Sequence, residues 1–340
     1  MNRSDSASLN IRRPRRLRRS EAIRRLVRET TLTPDHLVWP LFLVDGTNRL
    51  DPIDAMPGCF RHSVDQLSTA CETALSLGVR AVDLFPKTDA AVKTPDAREA
   101  LNPDNLNCRA VRAIKKQFPE MCVTTDIALD PYSSFGHDGL IKNGVVLNDE
   151  TVEVLAQMAV VHAAAGADIV SPSDMMDGRV AGIRQSLDAA GYQEVAILSY
   201  TAKYASAFYG PFREALDSAP VDAPQVPRDK KTYQMNPANS REAVVEALLD
   251  EQEGADILMV KPALPYLDVI ARLRAQTALP IAAYHVSGEY SMIKAAAQNG
   301  WLDERNCMIE SLTAIARAGA DVIFTYAALD FARWWRQDFK

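Results

Sequence analysis

The sequence predicts an α/β fold: a (β/α)8 TIM barrel with an extended N-terminal arm. Three observations favour it: the length of 340 residues, the alternation of short apolar runs with amphipathic helical stretches, and the polar residues that follow the runs. Eight apolar runs are found, and they are "HLVWPLFLV" (36–44), "VRAVDLF" (79–85), "MCVTTDIAL" (121–129), "ADIVSP" (167–172), "EVAILSY" (194–200), "ADILMVKP" (255–262), "LPIAAYHV" (279–286) and "ADVIFTY" (320–326). A doubly wound open sheet is the alternative, but no GxGxxG follows the first run.

The stretches between the runs have the pattern of amphipathic helices. "DETVEVLAQMAVVHAAAGA" and "SREAVVEALLDEQEGA" both reach a glycine just before the next run, as glycine-capped helices do. We therefore expect residues 31–335 to form a single catalytic barrel and residues 1–30 to form an arm for subunit contacts. Segment 205–235 carries several prolines, mixed charge and weak periodicity, which favours a mobile lid over the barrel mouth.

The composition is ordinary for a globular protein. Hydrophobic residues make up 47% and charged residues 24% of the chain, and no apolar run approaches the roughly 20 residues of a membrane span. No secretory signal is recognised, and no membrane partner is expected. The five cysteines are far apart and form no CxxC, which disfavours zinc fingers and disulfide frameworks and favours a reducing, cytoplasmic location.

Positive charge is concentrated at the N-terminus. Residues 1–28 hold ten arginines against Asp5 and Glu21, a local charge of +8, whereas the formal total for the chain is −6. Such a segment is typical of a nucleic-acid-binding tail, of an arm that docks on an acidic neighbouring subunit, or of a transit peptide. Because the remainder of the chain is acidic, the arm is the preferred interpretation and no nucleic-acid partner is expected.

Ionisable residues collect where the apolar runs end. Two lysines are the most unusual: Lys261 closes the sixth run, and Lys203 lies three residues after Tyr200, the last residue of the fifth. In a barrel, such residues converge on the mouth at the carboxyl ends of the strands, where active sites lie. The other polar candidates near the carboxyl ends of the runs are Asp126, Asp130, Asp138, Ser173, Ser287 and Tyr326.

A lysine at the end of a buried strand needs a physical reason, because burying an ammonium group is costly. Two lysines on adjacent strands depress each other's pKa, and apolar surroundings depress it further. A neutral amine is a nucleophile that forms a Schiff base with a carbonyl compound. An ion pair with a carboxylate explains either lysine alone, but two neighbouring lysines favour catalysis.

The chain contains six segments in a recognisable order: "SPSDMMDGR", "AKYASAFYGPFR", "YQMNPANSREA", "MVKPALPYLD", "VSGEY" and "QNGWL". Together they resemble the porphobilinogen synthase (5-aminolevulinate dehydratase) family, over about residues 10–330. The resemblance implies a barrel with an N-terminal arm, assembled as a homo-octamer. It also implies a lyase of tetrapyrrole biosynthesis that condenses two 5-aminolevulinate molecules to porphobilinogen with loss of two waters.

The resemblance implies roles for individual residues as well. Lys261, in "MVKP", matches the family's Schiff-base lysine, and Lys203, in "AKYAS", matches the second substrate-binding lysine. Arg213 and Lys230 match the groups that bind the carboxylate of the first substrate. The groups that match the binders of the second carboxylate are two neutral hydroxyls, Ser287 and Tyr326. Without the resemblance, a core aromatic would be the preferred interpretation of the tyrosine.

The loop after the third run decides which metal is expected. Some family members hold a catalytic zinc there with three cysteines, and this chain has Ala128, Asp130 and Asp138 at the matching positions. Two carboxylates without a thiolate suit hard cations better than zinc, so no catalytic zinc is expected. The two aspartates bind water, a monovalent cation or magnesium, or act only in electrostatics and proton transfer. Asp126 and Ser173 are expected to support the same site.

A second metal site is implied away from the chemistry. Glu246, in "REAVVEALLDE", matches a glutamate through which magnesium activates part of the family allosterically. Magnesium keeps most of its waters, so one carboxylate is a sufficient protein ligand. Taken by itself, Glu246 is equally an ordinary exposed helical carboxylate.

Two other functions remain as alternatives. A class I aldolase of the Schiff-base type explains one lysine, but not two lysines on adjacent strands together with two sets of carboxylate binders. A nucleic-acid-binding protein would use the basic arm and would leave the polar barrel mouth without a role. Salt-sensitive retention on a polyanion column would distinguish it.

Overall fold

The computed structural model describes residues 12–338. Contacts divide the chain into two units, Met1–Thr31 and Leu32–Lys340. The first eleven residues of the predicted arm lie outside the described part. Within the described part, no helix combines the length and the apolar character that crossing a lipid bilayer requires.

The larger unit is built on a closed barrel of parallel strands. Each strand pairs with the next in chain order, and the last closes on the first through Leu37↔Ile323 and Val38↔Phe324. The strands are β1 (Leu37–Val44), β2 (Ala81–Lys87), β3 (Cys122–Ile127), β4 (Ile169–Pro172), β5 (Ala196–Lys203), β6 (Ile257–Lys261), β7 (Ile281–His285) and β8 (Val322–Thr325). Each overlaps one of the eight predicted runs, so the predicted (β/α)8 barrel is confirmed.

Helices follow the strands around the barrel. Those at Asp149–Ala165 and Glu242–Glu253 end at Gly166 and Gly254, whose φ angles of 106° and 104° lie in the left-handed region that favours glycine. These are the two glycine ends predicted from the sequence. The other helices of this unit are Leu67–Leu77, Leu106–Gln117, Arg179–Ala189, Gly210–Leu216, Leu267–Arg274, Ser287–Gln298, Glu304–Ala318 and Ala328–Asp338.

Two short antiparallel pairs interrupt the alternation of strands and helices. Leu50–Pro52 pairs with Phe60–His62, which also lies beside β1. Ile141–Lys142 pairs with Val145–Val146 in the connection that follows β3. None of these strands was predicted, because two or three residues are too few to show an alternating pattern.

The two ends of segment 205–235, the predicted lid, lie next to each other at the end of β5. Tyr204 and Met235 form an isolated parallel bridge, and the Met235 amide donates to the Lys203 carbonyl at 3.0 Å. The segment begins with a helical turn, Ala207–Tyr209, and the helix Gly210–Leu216, then continues as irregular chain. This helix was not predicted, because its seven residues are too few to show a clear helical period.

Strand β5 differs from its prediction at a functional position. The predicted run ended at Tyr200, but the strand continues to Lys203, which pairs directly with Lys261. The pairing steps from Leu258↔Ser199 to Val260↔Ala202, so β5 contains one extra residue relative to β6. An extra residue of this kind is a β-bulge, which redirects the side chains that follow it.

The described part of the smaller unit contains two short helical segments. Pro14–Arg18 is a 3-10 helix, and Glu21–Leu26 is a single α-helical piece capped by the Ser20 hydroxyl, which accepts from the Ile23 amide at 3.3 Å. Glu21 forms exposed ion pairs with the two arginines that follow it one turn later. Exposed pairs of this kind contribute at most about 1 kcal/mol each.

Candidate active site

Two lysines face each other at the carboxyl ends of neighbouring strands. Lys203 is the last residue of β5 and Lys261 the last residue of β6, and the strand register places them side by side. Both side chains are almost fully buried and line the same cavity. The predicted convergence of the two lysines is therefore present in the structure.

The Lys261 amine is surrounded by aromatic rings. Its Nζ lies 4.1 Å from the ring centre of Tyr284, 4.9 Å from Tyr200, 5.0 Å from Phe212 and 5.6 Å from Tyr209. Burial first, and then the charge of the neighbouring lysine, lower the pKa of Lys261 from 10.5 to about 7. A large share of this amine is consequently neutral at pH 7, which is the form that attacks a carbonyl carbon.

The Lys203 amine has a polar environment instead. Its Nζ donates to Asp138 Oδ2 at 3.3 Å and to the main-chain carbonyl of Ser173. Asp138 also accepts from Lys230 Nζ at 2.7 Å, so one buried carboxylate is shared by two ammonium groups. Burial works against ionisation of Asp138, but the two lysines outweigh it and hold its pKa below the usual value. Asp138 therefore remains charged.

Two other carboxyl groups of the barrel interior are shifted in the opposite direction. Burial raises the pKa of Asp126 to about 7, although Lys203 opposes the shift. Burial also raises the pKa of Asp83 well above its usual value, and its Oδ2 accepts from the Tyr200 hydroxyl at 3.5 Å. A carboxyl group with a pKa near neutrality both gives and takes protons at physiological pH, which suits general acid–base work.

The cavity that holds these groups is small and is covered by the lid. Its volume is about 30 Å³ in this conformation. The residues that line it are Phe85, Asp126, Asp130, Asp138, Ser173, Lys203, Tyr209, Phe212, Arg213, Ser218, Lys230, Gln234 and Lys261. All four predicted supporting residues are among them.

The lid contributes two cations to this cavity. Arg213 lies on the lid helix, and within residues 12–338 its guanidinium donates no hydrogen bond. Lys230 is bound to Asp138 at 2.7 Å and Asp130 at 3.5 Å, and these carboxylates outweigh burial and raise its pKa. The guanidinium is thus available for a ligand carboxylate, whereas the ammonium group would have to exchange partners.

The predicted lid is bound to two other elements of the barrel unit. The Phe212 amide donates to Ser287 Oγ at 3.0 Å, and Arg61 Nε donates to the Ala215 carbonyl at 2.6 Å. Gly288 permits a close approach, because a side chain at this position would collide with the Phe208 carbonyl. These contacts join residues 205–235 to the short strand Phe60–His62, after β1, and to the first turn of the helix Ser287–Gln298, after β7.

Ser287 and Tyr326 do not line the cavity in this conformation. The Ser287 hydroxyl is engaged with the lid backbone. The Tyr326 hydroxyl lies 3.1 Å from that of Tyr284, and its ring is stacked on Phe42 with centres 5.6 Å apart. Tyr284 is therefore the residue that connects Tyr326 to Lys261, and the predicted roles of both hydroxyls as carboxylate binders remain predictions.

Residues that sequence reasoning missed include Asp83 and the rings around Lys261. Asp83 gave the same signal as Lys261, a charged residue inside a buried apolar run, and that signal could have identified it. The rings of Tyr200, Tyr209 and Tyr284 come from two strands and the lid, so no spacing in the sequence marks them as one group. Their contribution is evident only from the folded chain.

The residues at the predicted metal positions have different surroundings. Ala128 is buried without a donor atom, and Asp130 and Asp138 are engaged by lysines, a set that does not suit a soft ion such as zinc. Glu246 lies with Glu242 and Asp177 around a separate cavity of about 470 Å³. Burial, opposed by a nearby arginine, raises the pKa of Glu246 to about 7. Within the described residues, no cluster of three or more His, Cys, Asp or Glu side chains could hold a metal ion.

Comparisons with known proteins agree with this architecture. The model of the family described as "ALAD: Delta-aminolevulinic acid dehydratase" matches residues 11–334. The chloroplastic delta-aminolevulinic acid dehydratase of Physcomitrium patens is 58% identical over 95% of this chain and 74% of its own length. The dehydratase of Bradyrhizobium diazoefficiens is 56% identical over 93% of this chain and 88% of its own length.

A solved structure gives the same result for the fold. The dehydratase of Toxoplasma gondii, determined in complex with the reaction product porphobilinogen, superimposes with a TM-score of 0.94 at 51% identity, over 97% of this chain and 93% of that one. The predicted family, fold and reaction are confirmed. The chain belongs to the delta-aminolevulinic acid dehydratase family, whose members are lyases that condense two 5-aminolevulinate molecules to porphobilinogen.

Proposed function

We propose that Lys261 and Lys203 divide the family's reaction between them, each holding one molecule of 5-aminolevulinate as a Schiff base. The observation that carries the proposal is the direct pairing of the two lysines at the ends of β5 and β6, with both amines in one cavity. Holding two substrates side by side replaces a chance encounter by a positioned pair. An aldolase would use only one such lysine.

The chemistry of each lysine follows from its surroundings. The neutral amine of Lys261 adds to the ketone carbon of one substrate, and water leaves as the carbon–nitrogen double bond forms. The resulting iminium withdraws electrons from the adjacent carbon and so assists its deprotonation. Asp126, with a pKa of about 7, is suited to accept and return such protons. Asp138, which remains charged, stabilises cationic nitrogen at Lys203.

The substrate carboxylates need cationic or hydroxyl partners. Arg213 is suited to bind one of them in a bidentate manner when the lid closes, with Lys230 as a point charge. Ser287 and Tyr326 are assigned to the other carboxylate, which requires the serine to release the lid backbone. The closed lid then excludes water from the condensation.

Adduct formation at Lys261 should depend on pH with a midpoint near 7. Because the folded pKa is about 7, reductive trapping of the substrate with cyanoborohydride should fall by about tenfold per unit below pH 7 and level off above pH 8. The measurement is peptide mass mapping of the reduced protein between pH 5.5 and 9. Both Lys261 and Lys203 should carry the adduct.

The exposed Lys231 is the internal control and should carry no adduct in the same maps. A yield at Lys261 that is constant from pH 6 to pH 8, or labelling restricted to other lysines, would contradict the proposed function.

The metal proposal concerns Glu246. We assign to it an allosteric magnesium ion, held by the glutamate and by coordinated waters, and no zinc to the active-site loop. The acidic lining of its cavity, with Asp177 and Glu242, supports a hydrated divalent cation. A monovalent cation near Asp130 and Asp138 would compete with their lysine partners.

Activity should rise with millimolar magnesium and fall in EDTA, and Glu246→Ala should erase the stimulation without removing the activity seen in the absence of magnesium. Zinc addition should restore nothing, because Ala128, Asp130 and Asp138 provide no thiolate in the active-site loop. Porphobilinogen formation measured by a colorimetric assay tests each point. Full wild-type activity in excess EDTA, with no gain from magnesium, would leave Glu246 without a metal-binding role.

The proposal for assembly rests on the arm. The family resemblance implies an octamer, and the arm unit supports a docking role because Leu17 and Leu26 are exposed among its arginines. Deleting residues 1–28 should therefore give smaller species in light scattering. An unchanged mass after deletion would exclude the arm as the assembly element. A cytoplasmic location remains a proposal, supported by the five unpaired cysteines.

A further inference from the structure

A buried carboxylate outside the barrel is bound to the strand that carries Lys203. Asp250 lies on the helix Glu242–Glu253, and its Oδ2 accepts from Ser199 Oγ at 2.6 Å and from Thr201 Oγ1 at 2.7 Å. Arg179 donates to both carboxylate oxygens at 3.3 Å. All of these side chains are almost fully buried, so the carboxylate has a fixed position.

The same strand is held from the inside at its end. Tyr200 faces the barrel interior, since its ring centre is 4.9 Å from Lys261 Nζ. Lys203 also faces the interior, where it contacts Asp138 and Ser173. The strand is therefore bound outward at residues 199 and 201 and inward at residues 200 and 203.

A regular strand cannot satisfy this arrangement. Side chains alternate between the two faces, so residues 200 and 203, three positions apart, would point in opposite directions. The extra residue in β5 corrects the direction: the register steps from Leu258↔Ser199 to Val260↔Ala202 and then places Lys203 opposite Lys261. Without it, Lys203 would point out of the barrel.

We propose that Asp250 is a positioning residue for Lys203: by binding Ser199 and Thr201 it holds the bulge that directs the lysine into the active site. Arg179 holds Asp250 in place. The inference rests on the substrate-binding role proposed for Lys203. Neither Asp250 nor any of its three hydrogen-bond partners, Arg179, Ser199 and Thr201, lines the cavity, so it acts through the strand.

Loss of the two hydroxyls should displace the Lys203 amine while leaving Lys261 in place, because β6 keeps its own pairing with β7. A displacement of about 1 Å costs on the order of 100-fold in rate when two reactants must be aligned. Thr201→Val keeps the volume of the side chain and removes only its hydrogen bond, and Ser199→Ala removes the second.

The test uses the full-length chain with 5-aminolevulinate and cyanoborohydride, followed by mass mapping of the adducts. In the Ser199→Ala/Thr201→Val double variant we expect the yield at Lys203 to fall about tenfold or more relative to Lys261, and kcat to fall by about 10–100-fold. The single variant Thr201→Ser keeps a hydroxyl at this position, so its adduct yield at Lys203 and its kcat should stay at the wild-type values. The matched control is Thr125→Val: Thr125 is an equally buried threonine of β3, and its hydroxyl has no hydrogen-bond partner within residues 12–338.

A folded double variant with the wild-type ratio of adducts and the wild-type kcat would overturn the inference. If the wild type itself carries no adduct at Lys203, the proposed Schiff base at this lysine is wrong. A crystal structure of the double variant then tests separately whether Ser199 and Thr201 hold the bulge in β5. Retention of Lys203 opposite Lys261 in that structure would overturn the inference, and loss of this pairing would support it.

Discussion

Lys261→Met is expected to abolish porphobilinogen formation and, at the same time, to stabilise the protein at pH 7. The substitution removes the amine assigned to bond formation with one substrate, so kcat should fall by about 10⁴-fold or more. Methionine is unbranched and similar in volume, so the barrel core is kept. The variant should therefore remain folded and assembled.

The gain in stability follows from the lowered pKa. The pKa of Lys261 lies at about 7 instead of 10.5. Lowering the pKa of a lysine by one unit means that its charged form is less stable in the folded protein by about 1.4 kcal/mol. We expect the free energy of unfolding to rise by roughly 2 kcal/mol. This is less than the free energy that corresponds to the whole pKa shift, because Asp126 and Asp83 lose a positive neighbour. Urea denaturation at pH 7 measures it.

The pH dependence of this gain has a definite sign. A lysine with a depressed pKa destabilises the fold fully below the folded pKa, and the penalty disappears as the pH rises towards the unfolded value of 10.5. The advantage of the variant should accordingly shrink between pH 7 and pH 10. Lys231→Met, at an exposed site, should change stability by no more than about 0.5 kcal/mol. A less stable Lys261→Met protein at pH 7 would contradict the account.

Asp138→Asn should have the largest destabilising effect in the site. The substitution preserves the shape of the side chain but leaves Lys203 and Lys230 buried without their shared counter-ion. Removing one partner of a buried ion pair costs about 3–5 kcal/mol. Activity should also fall by about 100-fold or more, since both cations proposed to bind substrate would lose their positions.

The pH dependence of stability gives a second test of the destabilisation expected for Asp138→Asn. The folded pKa of Asp138 is below its unfolded value, so its stabilisation is present above about pH 4 and is lost as the pH falls through the folded pKa. The stability difference from the wild type should therefore be constant between pH 6 and pH 8, measured by urea denaturation. Asp222→Asn, an exposed lid carboxylate without an ion pair among the described residues, is the control and should change stability little. A loss below 1 kcal/mol for Asp138→Asn would show that Lys230 has an adequate partner in Asp130.

The strands of the barrel were predictable because each forms a short apolar run separated by a helical pattern, and this local alternation survives in the fold. The lysine at the end of β6 was predictable for the same reason: a charged residue inside a buried run is costly and therefore conspicuous. Asp83 gave the same signal and could have been included. The short antiparallel pairs and the lid helix were missed because each is too short to show a period.

The sequence by itself determined the barrel, the family and the position of Lys261, because these depend on local patterns and on the order of short segments along the chain. The inward direction of Lys203 depends on the bulge in β5, which strict alternation of side chains would not predict. The rings around Lys261 and the carboxylate shared by Lys203 and Lys230 join residues that are far apart in the sequence. Only the tertiary structure decided these features, because pKa values and side-chain directions depend on neighbours that the closed barrel and its lid bring together.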